Sequence, residues 1–257
     1  MKALDVVSLK KSFGGVKAVN DLTFSVEEFE TVGIIGPNGA GKTTIFNLIT
    51  GLYKPDGGKV MFFGQDLVSV APYRLAHLGI SRTFQNLRLF NSLTVLQNIT
   101  APILGMDGYG LSPAIFRTHD YVTCERSAED KARTLLEFFQ LSDKEAYLAN
   151  SLPYGEQRKL ELARALSVNP RLLLIDEPGA GMNPREIQNL VKMLKQVKEH
   201  FRLTIIVIEH QMKLIMNVSD RVVAMDFGEK IAQGTPAEVK KDKFVIEAYL
   251  GEEVTTC

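Results

Sequence analysis

Residues Gly36–Thr43 read GPNGAGKT and fit G-x-x-x-x-G-K-[ST], the spacing of a loop that cradles phosphate. The flanks turn the match into a constraint on the fold. Glu30–Ile35 (ETVGII) reads as a short apolar strand, and Thr43–Ile49 (TTIFNLI) as a helix stopped by Gly51. A strand, a glycine-rich turn and a helix in that order call for an α/β core. The glycines let the backbone wrap closely, so that successive N–H groups point at one anion. The helix start adds its unpaired N–H groups and the positive end of its dipole. Gly36, Pro37, Asn38, Gly39, Ala40, Gly41, Lys42, Thr43 and Thr44 are therefore the expected phosphate-binding set. Lys42 is expected to reach the outer phosphates of a nucleoside triphosphate, and the Thr43 hydroxyl to ligate Mg²⁺. The plain alternative is a glycine-rich turn that binds nothing.

Later segments supply groups that such a site needs. Asp176-Glu177 follows the apolar run at 171–175, so both carboxylates fall at the C-terminal end of a strand, the ligand edge of a parallel sheet. Asp176 is placed to hold Mg²⁺, and Glu177 to orient or deprotonate an attacking water. Gln85, in SRTFQNLRLF, follows an expected strand over Gly79–Phe84 and could offer its carbonyl to the metal or the water. His210 ends TIIVIEH, another buried strand that leads to the same edge, and could donate to a γ-phosphate. Taken singly, the acids could cap a strand, the glutamine could be solvated and the histidine could be a surface residue. Leu152–Gln157 (LPYGEQ) precedes the helical stretch LELARAL, which makes a second helix start suited to an anion. One nucleotide cannot easily use both helix starts of one chain. Two chains could share each nucleotide.

The rest of the sequence places these pieces. Leu22, Phe24 and Val26 alternate with Thr23 and Ser25, the period of a half-buried strand. Turns are expected at Gly14-Gly15 and Lys54–Gly58, and a strand at Val60–Phe63. From 86 to 152 helical patterns replace strand patterns. Ala132, Leu135, Leu136 and Phe139 share a helix face, and Gly105–Ser112 is loop-like. This stretch reads as a helical lobe of 86–152, inserted in a core of 1–85 and 153–257. Asn183-Pro184 opens a helix as N-cap and first-turn proline, with Ile187, Leu190, Val191, Leu194 and Val197 on its buried face. Thr204–Ile208 reads as a buried strand, and Val222–Met225 with Lys230–Ala232 as a terminal hairpin.

Composition excludes several classes. Thirty basic residues balance thirty acidic ones, so no overall field favours nucleic acid or an anionic membrane surface. The cysteines Cys124 and Cys257 have no metal spacing and suggest no disulfide framework. No apolar run is long enough to cross a membrane, and MKALDVVSLKKSFGG lacks the pattern of a signal peptide. Any role at a membrane is expected to go through a partner.

Read in order, the phosphate loop, Gln85, Leu152–Glu156, Asp176-Glu177 and His210 resemble the Walker A, Q-loop, signature, Walker B and switch motifs of an ABC-type ATPase subunit. The likeness runs from Phe13 to the final hairpin. It implies a single P-loop α/β domain with an N-terminal antiparallel β subdomain and an inserted α-helical lobe. It implies ATP and Mg²⁺ as cofactors, with the metal on Thr43, Gln85 and Asp176. Lys42, Gln85, Glu177 and His210 are its catalytic set. Phe13 is placed to stack on adenine, and Tyr154, Gly155 and Glu156 to face the nucleotide of a second subunit, in a homodimer or related heterodimer. GISRTFQNLRLFNSLTVLQNI, LPYGEQRKLELARAL and EPGAGMNP are similar to the ATPase of branched-chain amino-acid importers. That implies membrane permease subunits, indirectly a solute-binding protein, and a peripheral place on the cytoplasmic face of the membrane. Relatives for urea or amide import and lipid export share parts of the pattern. A soluble ABC ATPase of DNA repair or ribosomes is a further alternative, but the long coiled coil and second cassette of those proteins are not expected here. Leu87, Leu89, Phe90 and Leu93 are the candidate permease contact, or else lobe core. Two departures stand out. Pro153 and Tyr154 replace the serine and first glycine of the common LSGGQ, and Asn183 stands where an aspartate is usual. Proline also lacks an N–H, which leaves Gly155 and the helix start to hold phosphate.

Overall fold

The fold is that of a computed structural model that describes residues 1–106 and 118–255. The chain divides into two compact units, Met1–Leu75 with Arg171–Cys257, and Ala76–Pro170. The second unit starts ten residues before the expected lobe and ends eighteen after it.

In the first unit an antiparallel sheet runs in the order Val16–Glu27, Lys2–Phe13, Gly57–Phe62, Gln65–Asp66. Its first two strands turn at Gly14-Gly15 and pair Leu4 with Val26, Val6 with Phe24 and Leu9 with Leu22, which puts these side chains on one buried face. The strand expected from Val60 begins at Gly57 instead. Gly57 pairs with Lys10 and Lys59 with Val7, so the ladder continues into what reads as a turn cluster.

Five strands form the second layer of this unit, in the order Glu229–Gly234, Arg221–Asp226, Thr31–Ile35, Thr204–Ile208, Leu172–Asp176. The last four are parallel, and the first closes an antiparallel hairpin. All residues of Thr31–Ile35, Thr204–Ile208 and Leu172–Asp176 are buried, as a parallel sheet covered on both faces requires. Being parallel, these three strands end together, and one edge of the sheet receives Gly36, Glu177, and Glu209 with His210. The helix Pro184–Phe201 starts with a full capping box, in which Asn183 accepts from Glu186 N–H and Glu186 from Asn183 N–H. Ile187, Leu190, Leu194 and Val197 are buried, but Val191 is only half-buried. At 3.6 residues per turn Val191 lies about 80° from the centre of the other four, which carries it to the edge of the stripe.

The second unit holds the short strand Ile80–Arg82 and the helices Val95–Met106, His119–Phe138 and Tyr154–Leu166. Ala132, Leu135, Leu136 and Phe139 are buried together. Gly105 and Met106 close a helix, which corrects the expectation of a loop there; 107–112 lie outside the described residues. Asn98 is fully buried and shapes the segment before its own helix. Its Oδ1 accepts from Phe90 N–H, and its amide donates to the carbonyls of Phe90, Leu93 and Thr94. Among the described residues no helix is long and apolar enough to cross a membrane. Cys257 lies outside the described residues.

Candidate functional site

The phosphate loop leaves its strand at Gly36 and enters the helix Lys42–Ile49 through Gly41. Two of its glycines are dictated by the fold. A Cβ on Gly36 (φ +155°) would stand 2.2 Å from the Met225 carbonyl oxygen, and one on Gly41 (φ +96°) 2.2 Å from that of Ala18. No side chain caps the helix start, and its first turn holds no acid, which suits a helix that receives an anion. Asn38, Gly39 and Thr43 are exposed, Thr44 is half-buried, and Pro37 and Ala40 are buried. Lys42 is 5% exposed, and its Nζ donates to the carbonyls of Gly36 and Pro37, each at 2.7 Å. The ammonium is thus folded over the loop whose N–H groups would hold phosphate.

The neighbouring strands bring the acids and the histidine to this edge. Asp176 is 2% exposed at the end of its strand. Glu177 has a left-handed backbone (φ +44°), uncommon for a side-chain-bearing residue. Its N–H donates to the Ile208 carbonyl at 2.9 Å, which ties it to the strand that precedes His210. The Glu177 carboxylate lies 3.8 Å from His210 Nδ1. Glu177 and His210, 33 positions apart in sequence, are therefore adjacent.

One residue that holds this edge together is not expected from the sequence. Glu209 is fully buried, and its carboxylate accepts from Gly179 N–H at 2.6 Å and from His210 and Gln211 N–H at 3.0 Å each. Gln211 Nε2 returns a bond to the Gly179 carbonyl at 2.8 Å. Glu209 thereby pins the segment after Glu177 to the turn that carries His210. The one available signal is a carboxylate directly after the buried run TIIVI.

Phe13 is 44% exposed, which removes it from the core. It meets Tyr53 edge-on with ring centroids 5.1 Å apart, and Lys11 Nζ lies 5.4 Å from its ring centre. An open aromatic surface of this kind is what stacking on a flat base needs.

In the second unit Gln85 is exposed, and its main-chain carbonyl accepts from Arg158 Nη2 at 2.8 Å. Arg158 also donates to the Phe84 carbonyl, to Tyr154 Oη at 2.9 Å and to Glu161 at 3.1 Å. The backbone at Gln85 is thus tied to the helix that begins at Tyr154. Burial pushes the Glu161 carboxyl up from its ordinary value, against the pull of the Arg158 charge. Gly155 faces open space where a Cβ would go, so nothing among the described residues requires a glycine there. The Glu156 carboxylate pairs with Lys144. Pro153 caps this helix without a side-chain bond. Of the expected metal ligands, Thr43 and Asp176 belong to the first unit and Gln85 to the second.

The donor set fits Mg²⁺. Among the described residues no cluster of three or more His, Cys, Asp or Glu could hold a metal alone. A hydroxyl and a buried carboxylate are hard oxygen donors, and so few of them suit a cation whose shell is completed by phosphate and water.

Comparison with known proteins places the chain in a family. The family described as ABC transporter matches residues 19–180, and the one described as branched-chain amino acid ATP-binding cassette transporter matches 229–255. The high-affinity branched-chain amino acid transport ATP-binding protein LivG of Salmonella typhimurium is 41% identical, over 97% of this chain and 98% of that protein. BraF of Pseudomonas aeruginosa, of the same description, is 39% identical over the same shares. A crystal structure of the ADP conformation of MJ1267, an ATP-binding cassette of an ABC transporter, superposes with a TM-score of 0.85 at 33% identity, over 98% of this chain and 99% of that one. The chain belongs to the ATP-binding proteins of ABC transporters, in their branched-chain amino-acid group.

Proposed function

We propose that this chain hydrolyses ATP to ADP and phosphate as the motor of an importer of branched-chain or other hydrophobic amino acids. The phosphates lie in the loop 36–44, with Lys42 over the outer ones and Phe13 against the adenine. Thr43 and Asp176, with Gln85, would hold Mg²⁺, which when bound offsets charge on the β- and γ-phosphates. Glu177 accepts a proton from the attacking water, and His210, 3.8 Å from it, keeps that water and the γ-phosphate aligned. The adjacency of Glu177 and His210 on the sheet edge that starts the phosphate loop is the observation that carries this reading.

The productive unit is a pair of cassettes, the same or related, in which the helix start at Tyr154–Glu156 of one faces the nucleotide of the other. Gly155, which nothing among the described residues of its own chain requires, supports this. The pair works at the cytoplasmic face of the membrane on separate permease subunits fed by a solute-binding protein. Leu87, Leu89, Phe90 and Leu93 offer the contact. Leu87, Leu89 and Leu93 are half-buried and Phe90 is 47% exposed, so all four keep apolar surface for it. Glu177→Gln should keep Mg-ATP binding and lower turnover by about a hundredfold or more, the usual scale for losing a general base. Hydrolysis near the parent rate would remove Glu177 as the base.

A further inference from the structure

The N–H of Gly36, the first residue of the phosphate loop, donates to Tyr249 Oη at 3.0 Å across 213 positions of sequence. Tyr249 sits on the C-terminal helix Lys243–Thr255, inside the region 229–255 matched by the branched-chain family. The Gly36 carbonyl is held in turn by Lys42 Nζ at 2.7 Å. Gly36 is therefore gripped at both polar atoms, and the Met225 carbonyl closes the side where a Cβ would stand.

Gly36 is where the chain leaves the sheet ladder, so its buried N–H needs a partner from elsewhere. Having no side chain, it depends on its two main-chain polar atoms to be held in place. We propose that Tyr249 is a positioning residue of the nucleotide site. Its hydroxyl fixes Gly36, and Gly36 in turn fixes the carbonyl that sets Lys42 over the phosphates. Of residues 243–249 of that helix only Val245 is buried, so this part of it is lightly attached. The tyrosine thus makes nucleotide affinity depend on how that helix is seated. This rests on the nucleotide-binding reading of the loop.

The test is Tyr249→Phe in the full chain, which keeps the ring and deletes one hydroxyl. The bond is present before chemistry and serves ground state and transition state alike, so its loss should raise KM and spare kcat. The expected result is a rise of about threefold to tenfold in KM and in the Kd for Mg-ATP, the scale of one ordinary hydrogen bond, with kcat within about twofold. Amide exchange of the peptide that contains Gly36, read by mass spectrometry, should quicken in the variant. A KM equal to the parent's would overturn the proposal. So would a fall in kcat at constant KM, the mark of fewer folded molecules. In the parent chain alone, a Gly36 peptide that exchanges as fast as an open loop would also overturn it. A parent that does not bind Mg-ATP would overturn the nucleotide reading beneath it, whereas a parent and variant that bind equally well would sink only Tyr249.

Discussion

Glu209→Gln is the substitution that isolates the buried carboxylate under the edge that carries Glu177 and His210. Glutamine keeps the volume, so no cavity opens and the change is purely polar. The native carboxylate accepts three backbone N–H groups, one on Oε1 and two on Oε2. An amide has a single acceptor oxygen. If that oxygen faces His210 and Gln211, the NH₂ group meets the Gly179 N–H head on. If the amide flips, two N–H groups lose their partner instead. The milder outcome leaves one buried donor unsatisfied, at about 1–3 kcal/mol, and weakens the two remaining bonds by removing the charge that strengthens them. The sum is about 3 kcal/mol. For a chain of this size that corresponds to a fall of about 6–12 °C in the thermal midpoint. Calorimetry of the purified chain, with urea unfolding to confirm an unchanged m-value, reads this directly. A midpoint within about 2 °C of the parent would mean that these three N–H groups find other partners, and the role of Glu209 as the tie between Gly179 and His210 would fail.

Two further substitutions test other parts of the fold. The Asp56 carboxyl is held below its ordinary value first by its hydrogen bond from Lys11 and then by that from the Ser12 N–H. A lowered folded value means stabilisation that is complete above the ordinary aspartate range and is lost as pH falls through the lowered one. The stability advantage of the parent over Asp56→Asn should therefore shrink toward acid in urea titrations, and an advantage independent of pH would contradict it. Asn98→Ala removes four hydrogen bonds around 90–94 and should cost about 2–4 kcal/mol in urea unfolding, while a loss under about 0.5 kcal/mol would show that the segment holds its shape without the amide.

The candidate site is legible in the sequence because its signals are local. GPNGAGKT carries its own spacing, and the apolar runs before Gly36, Asp176 and His210 announce strands that a parallel sheet must end together. Asn183-Pro184 likewise states its helix start in two letters. Local signals fail where a partner is remote. Glu209 answers to Gly179, and Tyr249 to Gly36, through backbone N–H groups that every residue but proline carries and that leave no trace in composition or period. The strand start at Gly57 was hidden for the opposite reason: two glycines read as a turn, while pairing with the first strand decides the matter. Val191 was placed with its helix face by residue type, but its angle around the axis sets it at the rim. Arg158, which ties Phe84, Gln85 and Tyr154, sits among charged helix residues and looks like one more solvated cation.

The single amide of Asn98 has a consequence for how this lineage can diversify. It fastens main-chain atoms of Phe90, Leu93 and Thr94 and none of their side chains. The path of that stretch is therefore set from inside, without a hydrogen bond to any side chain along it. If Leu89, Phe90 and Leu93 meet a membrane subunit as proposed, the mount can stay the same while the key is exchanged.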